Sequence, residues 1–129
     1  MGYNAVHFNQ LANSWMRDVR IHNSDSAFYS WGMVFSTVVD LEVSSGDRGY
    51  DNGHRGIWME RGQDNLIKNF KISNTMYHDL SVSFYEHGTV FTNGTGKVSQ
   101  SLVRQRNHKH SLPATSTREH ARIDAHSFV

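Results

Sequence analysis

Asp18-Val19-Arg20-Ile21-His22-Asn23 is echoed three times along the chain, by Asp40-Leu41-Glu42-Val43-Ser44-Ser45, Asn69-Phe70-Lys71-Ile72-Ser73-Asn74 and Gly88-Thr89-Val90-Phe91-Thr92-Asn93. Each copy sets a short β-prone triplet between turn-forming residues. Asp and Asn tolerate left-handed backbone angles and bond back to their own main chain, so they are suited to closing turns. Measured at Val19, Leu41, Phe70 and Val90, the copies are 22, 29 and 20 residues apart. A second series interleaves with the first: Val6-His7-Phe8, Met33-Val34-Phe35, Ile57-Trp58-Met59 and Leu80-Ser81-Val82, with steps of 27, 24 and 23. A recurrence in the twenties is what a solenoid produces, because each turn of the coil consumes about that many residues. Stacked turns place equivalent Asn side chains one above another, where they can hydrogen-bond.

Within the triplets the apolar residues alternate, as in Val19 and Ile21, Val39, Leu41 and Val43, Phe70 and Ile72, or Leu80, Val82 and Phe84. That is the period of a strand. No stretch up to residue 95 sustains helical spacing, and Phe8 to Val19 holds too much Asn and Ser for a helix. The expected core stripe is Val6, Phe8, Val19, Ile21, Val34, Leu41, Val43, Ile57, Met59, Phe70, Ile72, Leu80, Val82 and Val90. A jelly roll or sandwich is the rival fold, but it would pair sequence neighbours through hairpins.

At 129 residues the chain makes one domain at most, and its 37% hydrophobic content suits a thin core fed by every second strand residue. It has no cysteine, which removes disulfides and thiolate metal sites. The net charge of +1 hides an asymmetry: residues 97–129 hold six Lys/Arg against Glu119 and Asp124, so the tail carries +4 and the body −3. A basic tail can contact polyanions, but no nucleic-acid partner is expected. No apolar run approaches a membrane span, and no signal peptide is visible at the N-terminus.

The longest interruption, Ser44 to Arg55, lengthens one turn from 22 to 29 residues and is expected to leave the coil as a loop on one face. Residues 97–129 repeat no β triplet and read as a disordered or non-native tail after a coil domain over 1–96. Neither end resembles a solenoid cap, so the chain is expected to be a piece of a larger solenoid.

Three segments have a familiar look: Arg17-Asp18-Val19-Arg20-Ile21-His22-Asn23, then Gly56-Ile57-Trp58-Met59-Glu60, then Asn65-Leu66-Ile67-Lys68-Asn69-Phe70-Lys71-Ile72-Ser73-Asn74-Thr75. Together they resemble the coil repeats of the pectin-lyase-like right-handed parallel β-helix superfamily, and Gly88-Thr89-Val90-Phe91-Thr92-Asn93-Gly94 looks like a further coil. The resemblance covers roughly residues 4–95. It implies an all-β, right-handed, single-stranded parallel β-helix of about four coils. It also implies a carbohydrate-active protein, of polysaccharide lyase or glycoside hydrolase type, acting on an extracellular polysaccharide outside the cell or at its surface. The superfamily also holds adhesins and surface proteins, so the alternative is a non-catalytic structural segment that self-associates end to end. Its catalytic signatures do not align here: the Asn-x-Asp and paired Asp-Asp motifs of the hydrolases are missing, and no lyase motif falls on the acidic residues.

The interrupting loop carries the best chemistry. Asp47 and Asp51 can bind calcium through oxygen or act as paired acid and base at a glycosidic bond. Arg48 and Arg55 can hold a sugar carboxylate in a bidentate fork, and His54 can move a proton near neutrality. The competing reading is a solvated glycine-rich turn. Tyr29, Trp31 and Tyr50 lie in irregular segments and are the expected sugar-stacking platform, whereas Trp15 and Trp58 are expected in the core. His78, beside Asp79, is a further contact candidate if Tyr77 faces inward. The plainer reading makes His78, Glu86 and His87 surface polar residues and Asp79 a turn cap.

Overall fold

The computed structural model describes residues 4–46, 53–73, 76–97 and 120–127. Every regular element in them is a strand. These are β1 (Asn4–Asn9), β2 (Trp15–His22), β3 (Ser26–Trp31), β4 (Thr37–Ser44), β5 (Arg55–Glu60), β6 (Leu66–Lys68), β7 (Lys71–Ile72), β8 (His78–Ser83), β9 (Val90–Lys97) and β10 (His120–Ser127). Two sheets result. One runs β1-β3-β5-β8; the other runs β2-β4-β6-β9-β10, with β7 also between β4 and β9. From β1 to β6 the chain alternates between the two sheets, as it does from β7 to β8 to β9, and all pairings are parallel except β9 with β10. This is not the neighbour-paired hairpin pattern of a jelly roll.

The register gives the true repeat. Val6, Phe28, Ile57 and Leu80 align in the first sheet, with offsets of 22, 29 and 23. Met16, Val38, Ile67 and Phe91 align in the second, with offsets of 22, 29 and 24. A line of isolated bridges, Ala12 to Val34 to Gln63 to His87, joins the same four units between the sheets. The step of 29 spans the unit that contains the 44–55 interruption, as expected.

Each unit bends at the same places because the same backbone angle recurs there. Gln10, Gly32, Arg61 and Phe84 all have positive φ, between 46° and 70°. So do Asn13, Phe35, Asp64 and Gly88, between 49° and 64°, and Asp18, Asp40, Asn69 and Asn93, between 51° and 56°. The three columns follow the strand offsets residue for residue. A left-handed residue costs an ordinary L-amino acid about 1–2 kcal/mol, and Asn, Asp or Gly much less. The third column is Asp or Asn throughout and adds a ladder: Asn69 Nδ2 donates to Asp40 Oδ1 (3.0 Å) and Asn93 Nδ2 to Asn69 Oδ1 (2.6 Å). The stacked-amide expectation therefore holds, with one correction. Asn93, not Gly88, is the fourth member, and Gly88 belongs to the Asn13 column.

The core contains Met16, Ile21, Ala27, Phe28, Met33, Val38, Leu41, Val43, Ile57, Met59, Ile67, Phe70, Ile72, Met76, Leu80 and Phe91, with Val6, Phe8, Val19 and Val82 packed at its ends. Val34 and Val90 are only half-buried. Each expectation slipped by one residue, and in a structure of period two a slip of one moves a side chain to the other face. Met33-Val34-Phe35 is a bend in which Val34 makes two isolated bridges, to Ala12 and Gln63, rather than a strand; the strand of the first sheet in that unit is β3. Gly94 is fixed by packing, since a Cβ there would sit 2.1 Å from the Phe70 ring.

A second internal column is polar. Ser14, Ser36, Asn65 and Thr89 succeed one another at the same offsets. Ser14 N–H donates to Ser36 Oγ (2.9 Å), and Ser36 N–H to Asn65 Oδ1 (3.1 Å). Asn65 Nδ2 donates to Met33 O (2.7 Å) and reaches Glu86 Oε1 and Thr89 Oγ1 (both 3.3 Å). Glu86 is buried, not on the surface, and accepts from Gly62 N–H and Thr89 Oγ1 (both 2.5 Å). Burial pushes its carboxyl above the ordinary range, against the pull of those donors. Asp79 is also buried, within β8 rather than at a turn.

The tail differs from expectation at its far end. Residues 120–127 form β10, which pairs antiparallel with the outer edge of β9, from His120 opposite Lys97 to Ser127 opposite Val90. A strand edge left open presents unpaired N–H and C=O groups, and β10 occupies this one.

Candidate functional site

The outer face of the four-stranded sheet carries His7, Tyr29, Trp31 and Trp58, with Arg55 and Arg61 lying on the tryptophans. Side chains at register-paired positions of parallel strands stand about 4.8 Å apart, close to the spacing of stacked rings. The column His7, Tyr29, Trp58, Ser81 uses this. The His7 and Tyr29 rings stack with centroids 4.5 Å apart and planes 23° from parallel, and the Tyr29 and Trp58 rings at 4.2 Å and 30°. The guanidinium of Arg55 lies over Trp58, its Cζ 3.3 Å from the ring centroid.

The neighbouring column, Asn9, Trp31, Glu60, Ser83, locks this stack in place. Tyr29 Oη donates to Glu60 Oε2 (2.9 Å), Ser83 Oγ donates to Glu60 Oε1 (2.7 Å) and Trp58 Nε1 donates to Ser83 Oγ (3.2 Å). Glu60 is buried beneath these partners. Burial first, then the hydrogen bond to Glu60 and its charge, push the Tyr29 phenol up to about 12. Tyr29 thus stays a neutral donor and a fixed ring, not a proton shuttle. Just beyond the end of β5, Arg61 lies over Trp31 (4.7 Å) and beside Tyr85 (6.0 Å), making a second aromatic–cation pair. At the other end of β5, His54 is 5.5 Å from His78 and 5.6 Å from Tyr77, centroid to centroid.

The sequence-predicted residues divide three ways. Tyr29, Arg55, His54 and His78 are brought together at one end of this face, and Trp31 stands on the same face toward the other end. Tyr29 and Trp31 lie in β3, not in an irregular segment. Asp47, Arg48, Tyr50 and Asp51 lie outside the described residues, and with them the expected calcium ligands. Among the described residues, no group of three His, Asp or Glu side chains is arranged to hold a metal ion. Trp15 is 73% exposed and Trp58 stands on the outer face, so neither packs in the core. Tyr77 is 72% exposed and does not turn inward.

His7, Glu60, Arg61, Ser83 and Tyr85 escaped the sequence reading. The signal for His7 and Trp58 was present: stepping back 22 from Tyr29 gives His7, and forward 29 gives Trp58, the offsets that relate Asp18, Asp40 and Asn69.

On the outer side of the other sheet, Asp18, Arg20, Asp40, Leu41, Glu42, Asn69 and Lys71 line a groove of about 450 Å³. Arg20 and Lys71 both face Glu42 there, at 3.5 and 3.9 Å, so its charges are largely answered internally. Along the aromatic column the rings lie face to face, Tyr29 between His7 and Trp58 and Trp58 between Tyr29 and Arg55, so the column presents ring edges and the edge of the guanidinium outward.

Compared with known proteins, the chain matches no family model, no curated protein and no solved structure.

Proposed function

We propose that the chain is a carbohydrate-active protein, or part of one, built as a right-handed single-stranded parallel β-helix of the pectin-lyase-like superfamily. In this reading it binds or acts on an extracellular polysaccharide with the outer face of the β1-β3-β5-β8 sheet. The fold reading is supported by the three left-handed columns, which recur at the strand offsets and return each unit to the same two sheets. Right-handedness follows the general rule for crossovers between parallel strands. The functional reading is carried by one observation: the Tyr29–Trp58 stack, with Trp31 beside it and Arg55 and Arg61 lying on the tryptophans. Rings fixed by a buried hydrogen-bond network form a rigid platform that loses little entropy on binding. Arg over an aromatic face offers its edge to hydroxyl or carboxylate oxygens.

The non-catalytic form of this reading is favoured by Glu60, the carboxylate closest to the platform. Both its oxygens are occupied and it is buried, so it orients rings rather than transferring protons to a ligand. The test is an assay against uronic-acid and neutral polysaccharides, with and without calcium, scored three ways: unsaturated product by ultraviolet absorbance, new reducing ends, and retardation in affinity gels. Retardation that Trp58→Ala and Trp31→Ala weaken is the expected result. Product formation would add lyase or hydrolase action. Silence in all three from a folded, β-rich chain would refute the platform and leave a structural, self-associating segment.

A further inference from the structure

At the start of β5 and β8, three basic side chains meet on the edge of the platform. Arg55 and His78 are register partners on adjacent strands. The His54 ring lies 5.5 Å from His78, and Tyr77 stands against both, 5.6 and 4.6 Å away. Arg55 is held by its face on Trp58, which leaves the in-plane N–H groups for a ligand. Its Nε is buried without a hydrogen-bond partner, and among the described residues Arg55 forms no ion pair. Glu60 acts on it only through the field from the far end of β5, its own oxygens being engaged by Tyr29 and Ser83. A buried donor left unpaired is costly, and like charges held together disfavour their charged forms. An anion placed among the three relieves the second of these.

We infer that His54, Arg55 and His78 form an oxyanion site for a carboxylate or sulfate ester carried by a glycan, and that this site tightens as pH falls. The inference rests on the platform reading for the rest of the ligand, though not for the anion contact itself. His54 and Arg55 of the β5 segment, and Tyr77 from the turn before β8, face His78; Tyr29 and Glu60 act on it through Arg55. Asp25 takes the N–H groups of His54 and Arg55 on its backbone carbonyl. Asp79, next in the chain, lies on the side of Gly96, whose absent Cβ would stand 3.5 Å from its Oδ2. Burial, then the neighbouring His54 and Arg55, hold His78 below the usual histidine range. A bound anion opposes that shift, so by linkage protonation and anion binding strengthen each other.

The experiment measures binding of dextran oligomers that are sulfated, carboxymethylated or unmodified, at about pH 5.5 and about pH 8, where histidine is the side chain that titrates. Sulfate esters do not change charge over that range, so any pH dependence belongs to the protein. The expected result is that sulfated dextran binds at least about tenfold tighter than unmodified dextran, the worth of one charge-assisted hydrogen bond. It should bind several-fold tighter at the lower pH. Arg55→Gln removes the charge preference, a His54→Gln/His78→Gln double variant flattens the pH dependence, and Arg20→Gln on the opposite sheet changes neither. The carboxymethylated oligomer shows which oxyanion is preferred. If Arg55→Gln loses its β-sheet signal, the double histidine variant decides. Wild-type binding by folded variants at both pH values overturns the site. Loss on Trp31→Ala with no effect of Arg55→Gln likewise overturns the site while keeping the platform. Loss on Arg55→Gln with no effect of Trp31→Ala upholds the site and removes the platform.

Discussion

Asn65 sits at the crossing of the internal polar column, and its replacement by alanine should be among the most damaging single changes. Asn65 is 1% exposed. Its Oδ1 is the acceptor for the N–H of buried Ser36, and its Nδ2 serves Met33 O, Glu86 and Thr89. After Asn65→Ala, Met33 O keeps the N–H of Gln63 and Glu86 keeps Gly62 and Thr89. The Ser36 N–H keeps nothing. One orphaned buried donor costs about 1–3 kcal/mol, and the other lost bonds about 0.5–1.5 kcal/mol each. We expect a total near 3 kcal/mol, a large share of the stability of a small domain. Urea unfolding followed by far-ultraviolet circular dichroism should show the midpoint falling by about 2 M. Asn65→Asp sharpens the test. It preserves the acceptor for Ser36, removes the donor to Met33 and sets a second carboxyl beside Glu86. Its loss should be small in acid and severe at neutral pH, where both groups are pressed to ionise. A change under 0.5 kcal/mol for Asn65→Ala, or Asn65→Asp as stable as wild type at pH 7, would refute the buried column.

Other outcomes follow from the same geometry. Gly62→Ala should destabilise by about 2 kcal/mol or more, because its Cβ would stand 2.6 Å from both Glu86 Oε2 and Met33 O; thermal unfolding checks this. Asn69→Ala should cost about 1 kcal/mol more than Asn69→Gly, because both lose the ladder bonds to Asp40 and Asn93 but only the alanine is strained at a φ of 54°; thermal unfolding of the two variants checks this. Glu86 has a raised folded pKa against an ordinary value of 4.5, so the folded chain holds that proton more tightly than the unfolded chain. Its stabilisation is full below about pH 4.5 and is lost as pH rises through the folded value; Glu86→Gln should remove that slope from a stability–pH series. Glu60→Gln should bring the Tyr29 phenol down from about 12, read by ultraviolet titration of that tyrosine against a Tyr29→Phe control.

Much of the architecture was legible because one requirement, a left-handed residue at each bend, selects Asp and Asn strongly enough to be seen. Asp18, Asp40 and Asn69 were visible for that reason. The other two columns were not, because Gln10, Arg61, Phe35 and Phe84 meet the same requirement with residues that carry no turn signal. β3 was overlooked because Ser26, Ala27 and Ser30 are weak strand formers; their smallness is explained only by the stack, where Ser30 lies between Phe8 and Met59. Val90 and Phe91 are both apolar, so only the register with Ile67 shows that Phe91 is the one inside. Asp79 and Glu86 read as surface groups because isolated carboxyls are rarely buried, and the partners that make burial tolerable for Glu86 are 3, 21 and 24 residues away. On the platform, Tyr29 and Trp31 were picked out as aromatics. That Tyr29 stacks on Trp58, and that Glu60 holds them, required the register.

The most direct test of the glycan platform is a nuclear magnetic resonance titration of the labelled chain with polysaccharide oligomers, sulfated and neutral. The account predicts shift changes concentrated on the ring and indole signals of Tyr29, Trp31 and Trp58 and the side chains of Arg55 and Arg61, with Asp18, Asp40, Asn69 and Lys71 unmoved. Changes confined to that second group, or none with any oligomer, would contradict it.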